Sequence, residues 1–216
     1  MLLLLSPALA QWATFEPPSS APSLAPWQDE QRVEVGASFI TGLGGDGTTL
    51  TDSDFPGPGF LDLFADLQLS GAYQLRPRVD VVATTYLGSG SILGGGAGVR
   101  LWVARSEFGG LGMQLDAGLI YLRASLPMVA RAGAFSFYCA PTVQAAVGAQ
   151  ARTPFGVTLA LPQVPGLLLT LESGFAVTGV EGVPDWDEGV KYYASLSVAY
   201  RAASLKALVP GRGPTD

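Results

Sequence analysis

The sequence predicts an all-β chain closed into an eight-stranded, antiparallel, up-and-down transmembrane β-barrel, and three observations predict it. The first is the stretch Leu61 to Leu75, LDLFADLQLSGAYQL. Here Leu61, Leu63, Ala65, Leu67, Leu69, Gly71, Tyr73 and Leu75 form one set, and Asp62, Phe64, Asp66, Gln68, Ser70, Ala72 and Gln74 the other. Side chains alternate across a strand, so this is one strand with an apolar and a polar face. It exceeds the about 5 to 6 residues of an average globular strand and suits the roughly 9 to 11 tilted residues that cross a bilayer. The second is charge: 14% of residues are charged, against roughly 25% in an average soluble domain, too few to solvate an exterior. The third is that the 48% hydrophobic content nowhere runs for the about 18 positions of a membrane helix. Backbone groups in lipid must all be paired, so a closed barrel is the form left.

The elements follow in order. Residues 1–10, MLLLLSPALA, read as a signal peptide: an apolar run ending in an A-x-A cleavage site, with the basic start missing, so that the true start lies upstream. Residues 11–31 contain PPSSAPSLAP, whose proline and serine give an extended periplasmic linker; Trp12 and Trp27 are its candidate docking anchors. Alternation begins at Arg32 with RVEVGASFIT, the first strand of a barrel spanning 32–201. A Gly/Asp/Pro-rich loop leads to the Leu61–Leu75 strand, then a tight turn at Arg76-Pro77 and a return strand over Arg78–Leu87. Strand four covers Ala97–Ala104, strand five Leu111–Arg123, and ASLPMVARAGA is read as a loop. Strand six covers about Phe135–Gln150, with the proline-marked TPFGVTLALPQVPG as its boundary. Strand seven is Leu167–Thr178 and strand eight KYYASLSVAYR, followed by a tail over 202–216. Connections after strands one, three, five and seven are longer than those after two and four. This is the order of extracellular loops and periplasmic turns in outer-membrane barrels.

Period-2 alternation also suits a soluble lipocalin-like barrel that binds lipid inside, so the polar face decides. It consists of Gly, Ala, Ser, Thr, Gln and a few charges, which fits a crowded lumen better than a solvated exterior. The 28 glycines also suit tight closure. By parity the inward charges are Arg32, Glu34, Asp62, Asp66, Asp80, Arg100, Asp116 and Glu172. Buried charges are costly unless paired, so a salt-bridge network of Arg32 and Arg100 with the surrounding carboxylates is expected. Such a network plugs and rigidifies the barrel; the alternative is a narrow pore or small-solute transporter through the same groups.

Several chemistries lose their residues. The net charge of −6 with scattered arginines gives no basic patch for nucleic acid. Histidine is absent and Cys139 is the single cysteine, so neither a disulfide nor a Cys/His metal site can form, and no Ser/His or Asp/His catalytic pair can be assembled. Cys139 falls on the apolar set with Phe135 and Phe137 and reads as a buried or lipid-facing thiol. Asp62 and Asp66 share a face, but inward acids in a lumen read as structural. GLGGDG and ILGGGAG lack the Lys-Ser/Thr ending of a phosphate loop. The chain is therefore expected to be no enzyme and to bind no cofactor.

The acidic loops supply the candidate contacts: Asp52 and Asp54, beside Asp46, and Asp185, Trp186 and Asp187, flanked by Glu181 and Glu188. Their oxygens suit calcium, but no EF-hand spacing is present, so no metal site is assigned. Trp186 suits a partner contact or an interfacial anchor.

From Arg32 to Arg201 the strand count, the loop asymmetry and the alternating last strand ending LSVAYR resemble the small eight-stranded outer-membrane barrels, the family of the OmpA transmembrane domain and OmpX. The resemblance implies a porin-like cell-envelope protein of a Gram-negative bacterium, located in the outer membrane. Its implied role is structural or binding, with outer-membrane lipid around it and an envelope protein as partner. The chain departs from the pattern by continuing past Tyr200 through AASLKALVPGRGPTD, and no peptidoglycan-binding domain follows, so no cell-wall tether of that kind is expected.

Overall fold

The computed structural model of the chain describes residue 27 and residues 31–43, 66–88, 95–118, 122–145, 149–179 and 190–208. The stretches read as a signal peptide and a linker, apart from Trp27 and Gln31, and both acidic loops lie outside the described residues. The strands are β1 (Val33–Leu43), β2 (Asp66–Arg76), β3 (Val79–Gly88), β4 (Gly96–Ser106), β5 (Gly109–Gly118) and β6 (Leu122–Ser125). There follow β7 (Met128–Ala132), β8 (Phe135–Cys139), β9 (Thr142–Ala145), β10 (Ala149–Ala160), β11 (Leu167–Gly179) and β12 (Val190–Ala202), then a 3-10 turn over Leu205–Leu208. All pairings are antiparallel, and β12 pairs with both β11 and β1, which closes the sheet into a barrel.

The wall has ten strands, where the alternation predicts eight. β6 and β7 lie end to end and both pair with β5, and β8 and β9 lie end to end and both pair with β10; each couple is one span of the wall. Three prolines explain the interruptions. Gly112 N–H donates to Pro127 O at 2.8 Å, Leu126 N–H to Pro141 O at 2.9 Å, and Ala140 N–H to Pro154 O at 2.9 Å. A proline returns no N–H, so each of these antiparallel pairs keeps one bond of two. Thr142 Oγ1 compensates one loss by donating to Ala140 O at 2.7 Å.

The sequence reading treats proline as a strand boundary, and so takes ASLPMVARAGA for a loop although it holds most of β6 and β7. It also joins β8, β9 and the start of β10 into one strand, because the connection at residues 146–148 carries a single glycine as its only turn signal. The connection at 119–121, Leu-Ile-Tyr, is apolar throughout, and β5 and β6 are merged for the same reason. The long second strand begins at Asp66; residues 61–65 lie outside the described set.

The exterior is apolar. Val35, Phe39, Leu69, Tyr73, Val81, Val99, Leu115, Phe137, Phe155, Leu171, Leu196 and Tyr200 are exposed on the outer face. Glu34, Ser38, Gln68, Asp80, Arg100, Gln114, Asp116, Arg123, Gln144, Arg152, Thr158 and Glu172 are buried on the inner one. Water-facing proteins bury apolar side chains, and this distribution is the reverse: a polar lumen inside an apolar wall, as a barrel spanning lipid requires. A soluble lipid-binding barrel would have the faces exchanged. Short turns at Pro77-Arg78, Glu107-Phe108 and Gly133-Ala134 gather at the end where β1 starts and β12 finishes. The end of β1, the start of β2, the end of β11 and the start of β12 are at the other end. Gly133, with φ +59°, makes the β7–β8 turn in a conformation that side-chain-bearing residues seldom adopt.

Candidate functional site: the charged lumen

Among the described residues, the lumen is where buried charge is collected. Five of the eight inward charges read from parity are buried there: Glu34, Asp80, Arg100, Asp116 and Glu172. Asp62 lies outside the described residues, as do Asp52, Asp54, Asp185, Trp186 and Asp187, while Asp66 is described in its backbone alone. Arg32 is exposed at the rim, because it precedes the first paired residue of β1, and it donates to Gln74 Oε1 at 3.0 Å. Its partner there is thus an amide, where a carboxylate is expected.

The two guanidinium–carboxylate contacts of hydrogen-bonding length run through arginines outside that set. Arg201 Nε donates to Glu34 Oε2 at 2.7 Å, with both side chains buried. Arg123 Nε donates to Asp116 Oδ2 at 3.1 Å. Arg100 hydrogen-bonds Gln114 Oε1 at 2.7 Å through Nε, and its Nη1 stands 3.9 Å from Asp80 Oδ2, a Coulombic contact beyond hydrogen-bonding length. Gln114 Nε2 in turn donates to both oxygens of Asp116, at 3.0 and 2.9 Å. Asp80, Arg100, Gln114, Asp116 and Arg123 therefore form one unbroken polar chain along the inner faces of β3 to β6. Gly98 stands opposite Asp116 in the register, and a Cβ there would meet the Asp116 carboxylate and Leu115 O, so glycine leaves room for the chain.

Separate braces complete the filling. Arg152 Nη2 donates to Gln144 Oε1 at 2.7 Å, Tyr138 OH to Glu172 Oε2 at 2.7 Å, and Thr158 and Thr170 share a bond of 2.8 Å. Towards the end where β1 starts and β12 finishes, Trp102, Val129, Tyr138 and Ala140 form a small apolar cluster inside the lumen. Trp102 lies between two guanidinium groups, Arg100 at 5.9 Å and Arg105 at 5.8 Å from its ring centre. Arg105 is tied to the neighbouring turn by a bond to Pro77 O. Trp27 reaches the same end: its Nε1 donates to Asp80 Oδ1 at 3.0 Å, and the Arg201 guanidinium lies 4.4 Å from its ring centre.

Sequence reasoning misses Arg123 because the parity changes between β5 and β6, and Arg152 because it lies just past the expected end of strand six at Gln150. Inward residues are even-numbered along β5 and odd-numbered along β6. Among the described residues no cluster of acids or cysteine is placed to hold a metal ion.

No family model matches the sequence, and no curated protein is similar to it. Among solved structures, the chain is similar to a de novo designed transmembrane β-barrel at 11% identity, covering 82% of this chain and 100% of that one, with a TM-score of 0.36. It is similar to Ail, the attachment invasion locus protein of Yersinia pestis, at 12% identity, covering 80% and 97%, with a TM-score of 0.34. A bacterial polysaccharide outer-membrane secretin matches at 8% identity over 81% and 100%, with a TM-score of 0.29. Likeness at this level carries no function from one barrel to another.

Proposed function

We propose that this chain is a non-catalytic β-barrel of the bacterial outer membrane whose lumen is closed, with a structural or binding role in the envelope. The observation that supports this is the polar chain from Asp80 to Arg123. Its members brace the inner faces of four neighbouring strands and are almost fully shielded from water. A through-going pore needs groups that face mobile water; these groups face one another. The barrel then serves as a rigid support held in lipid, with the connections at 44–65 and 180–189 available to an envelope partner.

A narrow pore is the second reading, and a specific observation favours it. Both amide atoms of Gln68 and the hydroxyl of Ser195 are buried without a hydrogen-bond partner among the described residues. Gln68 lies on β2 and Ser195 on β12, away from the polar chain on β3 to β6. Polar groups in that position are satisfied by water or a polar solute.

Two measurements test the proposal. The expressed protein is expected in the outer-membrane fraction, migrating faster in detergent gels unheated than heated. In planar bilayers the folded protein is expected to give no steady conductance. Steady openings that change in a Gln68→Leu variant would establish the pore instead.

A further inference from the structure

Trp27 lies far from the barrel in sequence, 53 positions before Asp80, yet it is held by two charged groups of the lumen mouth. Asp80 is completely buried and divides its carboxylate between two indoles: Oδ2 accepts from Trp102 at 2.8 Å and Oδ1 from Trp27 at 3.0 Å. The Arg201 guanidinium, fixed from behind by Glu34, offers its cationic face to the Trp27 ring. The barrel side has contacts of its own that do not involve Trp27: Arg100 and Arg105 both lie near the Trp102 ring, and Arg201 is bound to Glu34.

The two contacts together call for an aromatic ring that carries a donor, which tryptophan and tyrosine have and which indole offers on the more strongly cation-binding ring. A carboxylate needs a donor, and the face of a guanidinium needs a π system. Indole carries a single N–H on the edge of the best cation-binding ring. Phenylalanine lacks the donor, and lysine or arginine would place a second cation against Arg201. We propose that Asp80, Trp102 and Arg201 form a binding slot for an indole borne on an extended segment. Trp27 is its resident ligand, and the occupied slot caps the lumen at the end where β1 starts and β12 finishes. The Pro/Ser-rich sequence before Trp27 shows no apolar periodicity of its own.

The test uses the full chain in detergent micelles with its tryptophans isotope-labelled. Four tryptophans give four indole N–H signals, which Trp27→Phe and Trp102→Phe assign. The Trp27 indole proton is expected to exchange with solvent at least about tenfold more slowly than in the denatured chain, and Asp80→Asn to abolish that protection. In Trp27→Ala, free indole is expected to shift the Trp102 signal saturably, while leaving it unmoved in the parent protein. Three results overturn the slot. One is a Trp27 proton exchanging at the denatured rate, and another is full protection in an Asp80→Asn protein that still migrates as the folded band. The third is a Trp102 signal indifferent to indole in Trp27→Ala. None of these readings depends on ion flow, so a conducting barrel would refute the closed-lumen function and leave the slot standing.

Discussion

Gly156 is a glycine because the Tyr138 ring and hydroxyl occupy the place where its Cβ would go. That space lets the hydroxyl reach Glu172, a charge-assisted bond in a site without water. Gly156→Ala is therefore expected to displace the ring and cost about 1–3 kcal/mol of stability, read from urea unfolding in detergent. Tyr138→Phe, which deletes the donor and leaves the space intact, should cost about 1.5–3 kcal/mol. The Glu34–Arg201 pair stands under a harder rule, because both members are buried and each neutralises the other. Glu34→Ala strands the guanidinium and is expected to cost about 3–5 kcal/mol in the same assay. Glu34→Ala with Arg201→Met should recover much of that loss, since an apolar replacement of both partners strands no charge. At this scale the sequence is partly legible. The inward direction of Glu34, Asp80, Arg100, Asp116 and Glu172 follows from parity within a single strand. The identity of their partners does not, because Arg201 is 167 positions from Glu34 and pairing at that separation is decided by closure of the sheet.

Strand type was readable wherever alternation is undisturbed. β2, β3, β4, β11 and β12 lie within a residue or two of the ends their patterns imply, apart from the start of β2. The failures are local and have one cause. A turn announces itself through residues that break the pattern, and Leu119-Ile120-Tyr121 contains none, while Pro127, Pro141 and Pro154 announce breaks in places where the wall continues. The pattern therefore shows eight spans where there are ten; the parity of Arg123 is lost between β5 and β6, and Arg152 falls past the apparent end of its strand. The wall itself supplies a check. Pro141→Ala returns an N–H directly opposite Leu126 O, so the new amide is expected to be protected from hydrogen exchange to the same degree as its neighbours in β9. An unprotected amide there would mean that β8 and β9 are not one span.

For the molecule as a whole, the side-chain distribution decides which solvent each face meets. An outward leucine on β12, Leu196, is 53% exposed with Leu171 opposite it on β11, a contact surface suited to acyl chains. Leu196→Arg is expected to lower the stability of the barrel in lipid vesicles by about 2–4 kcal/mol if the site lies at mid-bilayer. An unchanged unfolding midpoint would place that face in water. The general inversion of polarity was legible from composition, because a chain so poor in charge has too few groups to coat an aqueous exterior. What the lumen does with its charges was not, since the filling depends on which strands become neighbours. The prolines carry one more consequence at this scale. Gly112–Pro127, Leu126–Pro141 and Ala140–Pro154 lie at nearly one height across β5, β6–β7, β8–β9 and β10, each held by one bond where two would form. Under the lateral pressure of a membrane, that flank has a crease running across its strands: the two halves bend about it, and the barrel yields there into an oval before its opposite flank does.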